Sequence, residues 1–292
     1  MIEVKNLSKN YGPVPAVKDL SFTVKEGAIY GFLGPNGAGK STTMNMITGC
    51  LAPTAGVVTV NGHDIIDEAV EAKKCIGYLP EIPPLYPDMT PFEYLEFVGM
   101  AKGLRGEELY DDLEYCMEKT GILDVADRLI KNLSKGYKQR VGIAQAIVGD
   151  PGVVILDEPT VGLDPLQIIE IRSLIRELGE EHTVIISSHI LQEIEAVCDH
   201  VIMISKGRIV ADEKLSTLTA NESLEAAFIR LAGESLDAGA AYAKEKAEKK
   251  AAAVRPSRRG KKRVITESKK GAAYYEEIYV DETPETDKEV DR

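Results

Sequence analysis

The chain has 292 residues, of which 44% are hydrophobic and 28% charged, and this composition is typical of a soluble globular protein. Its formal net charge of −12 argues against a general nucleic-acid-binding protein, and no apolar run approaches the roughly 18 to 20 residues that span a bilayer. The four cysteines lie far apart without a C-x-x-C pair, which favours reduced thiols over a disulfide framework or a zinc site.

The first sixty residues alternate between strand-like and helix-like patterns. "MIEVKNLSKNY" and "VKDLSFTV" predict two strands separated by Gly12 and Pro13, and the N-terminus carries no signal-peptide pattern. "AIYGFL" predicts a third strand, which breaks into "GPNGAGK" before the helix-like "STTMNMITGCL". "GVVTVNGHDI" then predicts a strand followed by an Asn-Gly turn.

The glycine-rich loop fits the phosphate-binding pattern G-x-x-x-x-G-K-[ST] between a strand and a helix. Its backbone N–H groups and the helix N-terminus would bind phosphate oxygens, so we expect a nucleoside triphosphate there. Lys40 would reach the β- and γ-phosphates and the Ser41 hydroxyl would bind Mg²⁺. A chance glycine loop is the alternative interpretation. The predicted contacts are Gly34, Pro35, Asn36, Gly37, Ala38, Gly39, Lys40, Ser41 and Thr42.

Residues from roughly 83 to 150 predict an inserted helical subdomain. In "DMTPFEYLEFVGMAKGL" and "EELYDDLEYCMEKTGI", apolar residues recur at helical spacing opposite acidic faces. "LSKGYKQR" follows, and its Ser134 predicts the N-cap of another helix. Strands return at "VVILD", "TVIISS" and "HVIMI" with helices between them, so we expect a largely parallel sheet covered on both faces.

The strand in "VVILDEP" ends in two carboxylates, Asp157 and Glu158. Because adjacent side chains on a strand point in opposite directions, the two are expected to have different roles. Asp157 suits an outer ligand to Mg²⁺ beside Ser41, and Glu158 would polarise an attacking water. Two solvated acids at a strand end are the alternative interpretation.

The composition changes after about Gly233. The stretch "AYAKEKAEKKAAAVRPSRRGKKRV" is rich in Ala, Lys and Arg, and the final residues are acidic. We therefore predict a charged, largely solvated extension over residues 232–292 that is flexible or, in its first half, partly helical.

Taken together, these motifs resemble the ATP-binding cassette (ABC) family of nucleotide-binding subunits over residues 2–231. The resemblance rests on "GPNGAGKST", "LSKGYKQR", "VVILDEPT", "GLDP" and "SSHIL", in the family's order and spacing. It implies an α/β P-loop NTPase fold with a mainly parallel core sheet, an N-terminal antiparallel β subdomain and an inserted helical subdomain. It also implies an ATPase that uses ATP and Mg²⁺ and dimerises around two ATP molecules.

The resemblance implies further site residues. Ser134 and Gly136 would contact the γ-phosphate of an ATP held by the neighbouring subunit, and Tyr11 would stack on adenine. Asp164 would reach across the dimer, and His189 would act as a catalytic contact to the γ-phosphate. Taken without the resemblance, Ser134 is a helix cap, Tyr11 a packed loop residue, Asp164 a turn former or cap, and His189 a structural histidine.

The sequence departs from the family's pattern at three positions. The usual Ser-Gly-Gly-Gln core has Lys135 and Tyr137 at its second and fourth positions. Glu81, in "GYLPE", stands where the family usually has glutamine. Its carboxylate could approach Mg²⁺ directly or through water, so Glu81 is a predicted metal ligand with Ser41 and Asp157.

The leading prediction is the ATP-hydrolysing subunit of an ABC transporter, similar to exporters of drugs, ions, lipids or peptides. It would pair with an identical or different ATP-binding subunit and drive a transmembrane permease from the cytoplasmic face of the cell membrane. The segment "IPPLYPDMTPFEY" resembles the groove that receives membrane-domain coupling helices.

Two other functions are weighed against this one. The basic stretch Lys244–Lys270 would suit a soluble ABC protein acting on ribosomes or nucleic acid. Such factors usually carry two tandem cassettes, whereas this chain has one, so no nucleic-acid partner is expected. A nucleotide-gated scaffold without turnover is disfavoured by the presence of Glu158 and His189.

Overall fold

The computed structural model describes residues 1–233, 260–267 and 273–280. The chain divides into two compact units, Met1–Asp237 and Ala238–Arg292. The strands of the first unit are β1 Ile2–Tyr11, β2 Val14–Val24, β3 Ile29–Leu33, β4 Ala55–Val60, β5 His63–Asp64, β6 Ile76–Leu79, β7 Val153–Asp157, β8 Thr183–Ser188, β9 His200–Ser205 and β10 Arg208–Lys214.

The helices of the first unit cover both faces of its larger sheet. They are α1 Lys40–Ile47, α2 Ala69–Lys74, α3 Pro91–Lys102, α4 Gly106–Thr120, α5 Lys135–Ile147, α6 Pro165–Gly179, α7 Leu191–Val197 and α8 Leu215–Leu218. Residues 224–233 are also helical. In the described part of the chain, none of the helices combines the length and the apolar character that crossing a bilayer requires.

The N-terminal β subdomain is a four-stranded antiparallel sheet in the order β2-β1-β4-β5. The turn between β4 and β5 is formed by Asn61 and Gly62, whose φ angles of 49° and 88° are both positive. A two-residue hairpin turn of type I′ requires this geometry at both positions, which is why the Asn-Gly pair predicted it.

The core sheet has six strands in the order β10-β9-β3-β8-β7-β6. All its neighbouring strands are parallel except β9 and β10, which are antiparallel. Because β3, β7 and β8 run in one direction, the loops that follow them leave the same edge of the sheet. The glycine-rich loop, Glu158 and His189 therefore emerge side by side.

The core sheet separates two hydrophobic clusters, and alternate residues of β7 contribute to each of them. Val154 and Leu156 belong to the cluster on the side of the inserted helices, while Val153 and Ile155 belong to the cluster that includes the antiparallel sheet. All five residues of β7 are buried. A strand buried on both faces reads as an uninterrupted apolar run, as "VVIL" does.

The inserted helices α3, α4 and α5 form the helical subdomain. Helix α3 begins with a capping box, in which Thr90 Oγ1 accepts a hydrogen bond from Glu93 N (3.2 Å) and Glu93 Oε2 accepts one from Thr90 N (2.8 Å). Asp112 on α4 accepts a hydrogen bond from Gly149 N (2.9 Å), which ties α4 to the chain after α5. The predicted fold class, with its parallel core, antiparallel β subdomain and helical insertion, is confirmed.

Three strands of this unit were not predicted. β5 has only two residues, His63 and Asp64. β6 has only four residues, "IGYL", and β10 carries charged residues in "RIVADEK". β6 closes one edge of the core sheet against β7 and leads directly to Glu81.

The second unit is described only where it forms two strands. β11 (Gly260–Glu267) and β12 (Ala273–Val280) pair antiparallel, from Gly260 opposite Val280 to Glu267 opposite Ala273. The sequence predicts a flexible or partly helical extension over residues 232–292, so these two strands were not predicted. The first half of the extension, beyond residue 233, lies outside the described residues. The basic stretch Lys244–Lys270 also lies outside them, apart from β11.

Candidate active site

The glycine-rich loop connects β3 to α1. Gly37 and Gly39 have φ angles of 76° and 108°, which favour glycine. A Cβ atom on Gly39 would lie 2.9 Å from the carbonyl oxygen of Ala16, and one on Gly34 would lie 2.3 Å from that of Ile204. The loop can therefore follow this path against β2 and β9 only with glycine at these positions.

The loop forms one wall of a cavity of ≈ 490 Å³. The cavity brings together predicted site residues from four separate segments of the sequence. Its lining residues are Ala16, Asn36, Gly37, Gly39, Lys40, Ser41, Thr42, Glu81, Glu158, Val161 and His189. The phosphate loop, both predicted catalytic residues and Glu81 thus share one space.

Lys40 occupies the first position of α1 and is 7% exposed. Its Nζ donates a hydrogen bond to the carbonyl oxygen of Gly34 (2.8 Å) and lies 3.8 Å from Glu158 Oε1. Burial lowers the pKa of Lys40, although the nearby carboxylates of Glu158, Asp157 and Glu81 act to raise it. An anionic ligand beside the ammonium would favour its charged form in the same way.

Glu158 follows the last residue of β7 in a left-handed backbone conformation, with a φ angle of 51°. Its N–H group donates to Ser187 O (3.1 Å) and Oγ (3.2 Å), which ties the turn to β8. Its Oε2 lies 2.9 Å from His189 Nδ1. The side chain is almost completely buried, yet it lines the cavity.

Asp157 is the last residue of β7 and is 2% exposed. Its carboxylate accepts a hydrogen bond from Ser187 Oγ. Strand alternation predicts that the side chains of Asp157 and Glu158 point in opposite directions. In the structure the strand ends between them, and the left-handed turn at Glu158 directs its side chain instead.

The oxygen donors at the site fit Mg²⁺ bound together with phosphate. Ser41 and Glu81 line the cavity, and the carboxylate of Asp157 lies close enough to Lys40 to affect its pKa. Among the described residues, no group of three or more His, Cys, Asp or Glu side chains could hold a metal ion alone. Mg²⁺ is usually bound by one or two carboxylates and substrate phosphates, so a hydroxyl and separated carboxylates suit it.

Ser134 and Gly136 lie at the beginning of α5 and are not among the residues that line this cavity. Ser134 caps α5 and its Oγ accepts a hydrogen bond from Tyr137 N (3.3 Å), so the cap interpretation is confirmed. Gly136 is buried, and a Cβ atom there would lie 2.7 Å from the side-chain amide of Gln167. The glycine therefore allows α5 to pack closely against the beginning of α6.

Tyr11 and Asp164 also lie outside the residues that line the cavity. Tyr11, the last residue of β1, is 52% exposed, and the Nζ of Lys9 lies 5.7 Å from the centre of its ring. Asp164 caps α6 by accepting hydrogen bonds from Leu166 N (3.1 Å) and Gln167 N (3.0 Å). Contacts of Tyr11 with adenine and of Asp164 across a dimer stay predictions.

Two residues that organise the site, Ser187 and Glu193, were not predicted from the sequence. Ser187 contacts both Asp157 and Glu158, and Glu193 accepts hydrogen bonds from Thr160 and Ser188. The sequence signal that could have indicated Ser187 is "SSH", where two serines end a strand that is otherwise largely apolar.

Comparisons with known proteins agree with this geometry. Residues 17–161 match the family described as ABC transporter. The ABC transporter ATP-binding protein YhcH of Bacillus subtilis is 41% identical over 213 residues, which are 72% of this chain and 68% of the relative. The bacitracin transport ATP-binding protein BcrA of Bacillus licheniformis is 40% identical over 214 residues, 73% of this chain and 69% of the relative.

A similar fold has been solved in a nucleotide-bound state. The ATP-binding cassette MJ0796, in a dimeric post-hydrolysis state bound to ADP and Pi, aligns with a TM-score of 0.66 and 29% identity. The alignment covers 74% of this chain and 99% of that one.

Proposed function

This chain belongs to the ABC transporter family as an ATP-binding subunit that hydrolyses ATP, and we propose that two such subunits close around two ATP molecules to drive a transmembrane permease. The observation that carries the proposal is that the predicted ATP-contacting residues of one subunit do not all line the same cavity. The cavity holds Lys40, Ser41, Glu158 and His189, whereas Ser134 and Gly136 begin a helix outside it. A single subunit therefore holds only part of the site that the family's motifs imply.

Within one subunit, the phosphate loop and Lys40 would bind the β- and γ-phosphates of ATP. Bound Mg²⁺, held by Ser41, Glu81 and Asp157, would neutralise phosphate charge. Glu158 would accept a proton from the attacking water, and His189, bonded to Glu158, would contact the γ-phosphate. In this structure Lys40 lies beside Glu158, so a γ-phosphate that attracts Lys40 would leave the Glu158 carboxylate available to water.

The second subunit would supply Ser134 and Gly136 to the γ-phosphate. Ser134 is exposed at the positive end of α5, which favours an anion. Leu166 and Ile169, which follow Asp164 on α6, are 66% and 62% exposed. Large apolar side chains exposed next to a site are typical of a surface that another protein covers. The partner would be an identical subunit or a related one.

The permease would bind at a groove between the core and the inserted helices. Its wall includes Tyr78, Pro84, Tyr86, Tyr94 and Phe97. Tyr86 and Phe97 are 50% and 47% exposed, and their rings lie edge to face with centres 5.8 Å apart. An apolar, aromatic groove suits the apolar face of a helix. The subunit would then act at the cytoplasmic face of the membrane through this partner.

The transporter would be an exporter. This part of the proposal rests on the resemblance to the family's exporter branch and on the similarity to the Nod factor export ATP-binding protein I of Burkholderia lata, which is 37% identical over 215 residues. It does not name the exported molecule.

Two measurements test the proposal. Light scattering of the full-length Glu158→Gln variant is expected to give a dimer with MgATP and a monomer without nucleotide. Affinity purification of the chain from solubilised membranes is expected to recover a polytopic membrane protein, and Phe97→Asp should remove it. A monomer in every nucleotide state that hydrolyses ATP at full rate would contradict the dimer, and recovery of ribosomes alone would contradict the permease.

A further inference from the structure

Glu193 is a buried acidic residue that the proposed chemistry does not use. It lies on α7, is 3% exposed, and is followed by the buried Ile194. None of the ion pairs within residues 1–233 includes Glu193. Its carboxyl oxygens instead accept hydrogen bonds from two side-chain hydroxyls.

The two hydroxyls belong to the two segments that carry the catalytic residues. Ser188 Oγ donates to Glu193 Oε2 (2.7 Å), and Ser188 immediately precedes His189. Thr160 Oγ1 donates to Glu193 Oε1, and Thr160 lies two residues after Glu158. Ser188 and Thr160 are both buried, at 1% and 4% exposure. One carboxyl group therefore joins the turn after β7 to the end of β8.

The contacts of Glu193 complete a closed arrangement around the catalytic pair. On one side Glu158 is bonded to His189, and its N–H group is bonded to Ser187. On the other side, Thr160 and Ser188 are held at the two oxygens of one side chain. The N–H group of Leu163 donates to Thr160 O (3.2 Å), so the position of Thr160 also influences the chain leading to Asp164.

Packing alone does not account for a carboxyl group at this position. Burying a polar group costs free energy unless hydrogen bonds compensate, whereas an apolar side chain would be buried favourably beside Ile194. What the carboxyl group adds is geometry, because two acceptors on one rigid plane fix the separation of their two donors. A catalytic pair needs this kind of support, since small displacements reduce rates strongly.

We propose that Glu193 is a positioning residue for ATP hydrolysis. By holding Thr160 and Ser188 together, it keeps the Glu158 carboxylate within hydrogen-bonding distance of His189. It also sets the path of the segment from Thr160 to Asp164. The inference rests on the proposed function, because it takes Glu158 as the base that acts on water.

The test uses full-length protein with Glu193→Leu, Glu193→Gln and Glu195→Leu. Glu195 lies on the same helix, is exposed and is a matched control. Steady-state hydrolysis of MgATP gives kcat and KM, a fluorescent ATP analogue gives Kd, and circular dichroism gives the folded fraction at the assay temperature. We expect Glu193→Leu to lower kcat by about tenfold or more, with Kd within about threefold of wild type.

Glu193→Gln separates positioning from loss of folding. Its side-chain oxygen can accept one hydroxyl hydrogen bond, and its NH₂ group can donate to the other hydroxyl oxygen. We therefore expect a kcat within about threefold of wild type. Thr160→Val and Ser188→Ala should each lower kcat in the wild-type background but have little further effect in Glu193→Leu, because coupled residues are not additive.

The outcomes are distinguishable. The inference is overturned if folded Glu193→Leu retains the kcat of Glu195→Leu, or if it lowers only the thermal stability while turnover per folded molecule is unchanged. If hydrolysis requires Glu158 but not Glu193, the proposed function stands without this inference. Hydrolysis unaffected by Glu158→Gln would contradict the proposed base and, with it, the role of Glu193.

Discussion

Nδ1 of His189 lies 2.9 Å from Oε2 of Glu158, and this contact joins the ends of two neighbouring parallel strands. Glu158 is almost completely buried, whereas the His189 side chain is 43% exposed and lines the cavity. The buried carboxylate therefore holds a histidine that faces the space next to the phosphate loop. This arrangement suits the roles proposed above, in which Glu158 would act on water and His189 would contact the γ-phosphate.

Glu158→Gln should abolish most turnover while keeping ATP binding. The amide cannot accept a proton from water, and general-base catalysis typically contributes about 10²- to 10⁴-fold to a rate. We expect kcat to fall within this range and the Kd for ATP to change by less than about threefold. Hydrolysis and analogue binding on the same preparation measure both quantities. Turnover equal to that of Glu195→Gln, an exposed acid on α7, would count against Glu158 as the base.

Lys40→Ala should remove ATP binding. The Lys40 ammonium group donates a hydrogen bond to the Gly34 carbonyl at the N-terminus of α1, so it is already positioned to bind phosphate oxygens. We expect the Kd to rise by about 100-fold or more, since charged hydrogen bonds to phosphate are among the strongest at such sites. Lys25→Ala, which changes an exposed lysine away from the cavity, serves as the control. Near-normal affinity in Lys40→Ala would overturn the phosphate-loop assignment.

The fold and the phosphate loop could be predicted because their signals are local. Glycines, a strand before them and a helix after them stand together in "AIYGFLGPNGAGKST". β6 was missed because four residues with a central Gly77 form a weak strand pattern. A Cβ atom on Gly77 would lie 1.8 Å from the carbonyl oxygen of Ala146, so the glycine permits α5 to cross β6. Such a requirement is visible only when both elements are in place.

The supporting residues of the site could not be predicted, because their burial depends on distant parts of the chain. In "LQEIEAV", the sequence pattern does not distinguish Glu193 from Glu195, yet Glu193 is buried and Glu195 is exposed. The difference arises from the pairing of β7 with β8, which brings Thr160 close to Ser188. Likewise, the divergence of Asp157 from Glu158 follows from a left-handed turn that the sequence pattern does not specify.

Asp112 should make the stability of the chain decrease as pH rises above about 4. Burial raises the pKa of Asp112 above its ordinary value of 3.8, with smaller opposing effects from Gly149 and Lys102. Between the ordinary pKa of the unfolded state and the raised pKa of the folded state, the folded state binds more protons than the unfolded state. The free energy of unfolding therefore decreases as pH rises through that window. Asp112→Asn keeps an oxygen acceptor for Gly149 N and should lose this dependence. Thermal unfolding from pH 4 to 7 measures it, and parallel curves for the two proteins would contradict it.

Deletion of residues 238–292 should leave ATP hydrolysis largely unchanged. The cavity, α5 and α6 all belong to the unit that ends at Asp237, and every predicted site residue lies within it. We expect kcat within about twofold of the full-length chain and a similar unfolding temperature for the first unit. Hydrolysis and calorimetry on the truncated chain test this. A complete loss of hydrolysis in a folded truncated chain would show that the extension takes part in turnover.

Gly136→Ala, alone and with Gln167→Ala, should separate packing from phosphate contact at the beginning of α5. A Cβ atom on Gly136 would lie 2.7 Å from the Gln167 amide, which ends a flexible, half-buried side chain that can move aside, so the single variant should change the unfolding free energy by less than about 1 kcal/mol. Gln167→Ala removes the remaining contact, so the double variant should be about as stable as Gln167→Ala alone. If Gly136 also contacts the γ-phosphate of the neighbouring subunit, the double variant should stay deficient in hydrolysis and in ATP-dependent dimerisation. Denaturant unfolding and light scattering measure the two effects, with Gln167→Ala alone as the control. Hydrolysis and dimerisation of the double variant equal to those of Gln167→Ala alone would show that the glycine serves packing only.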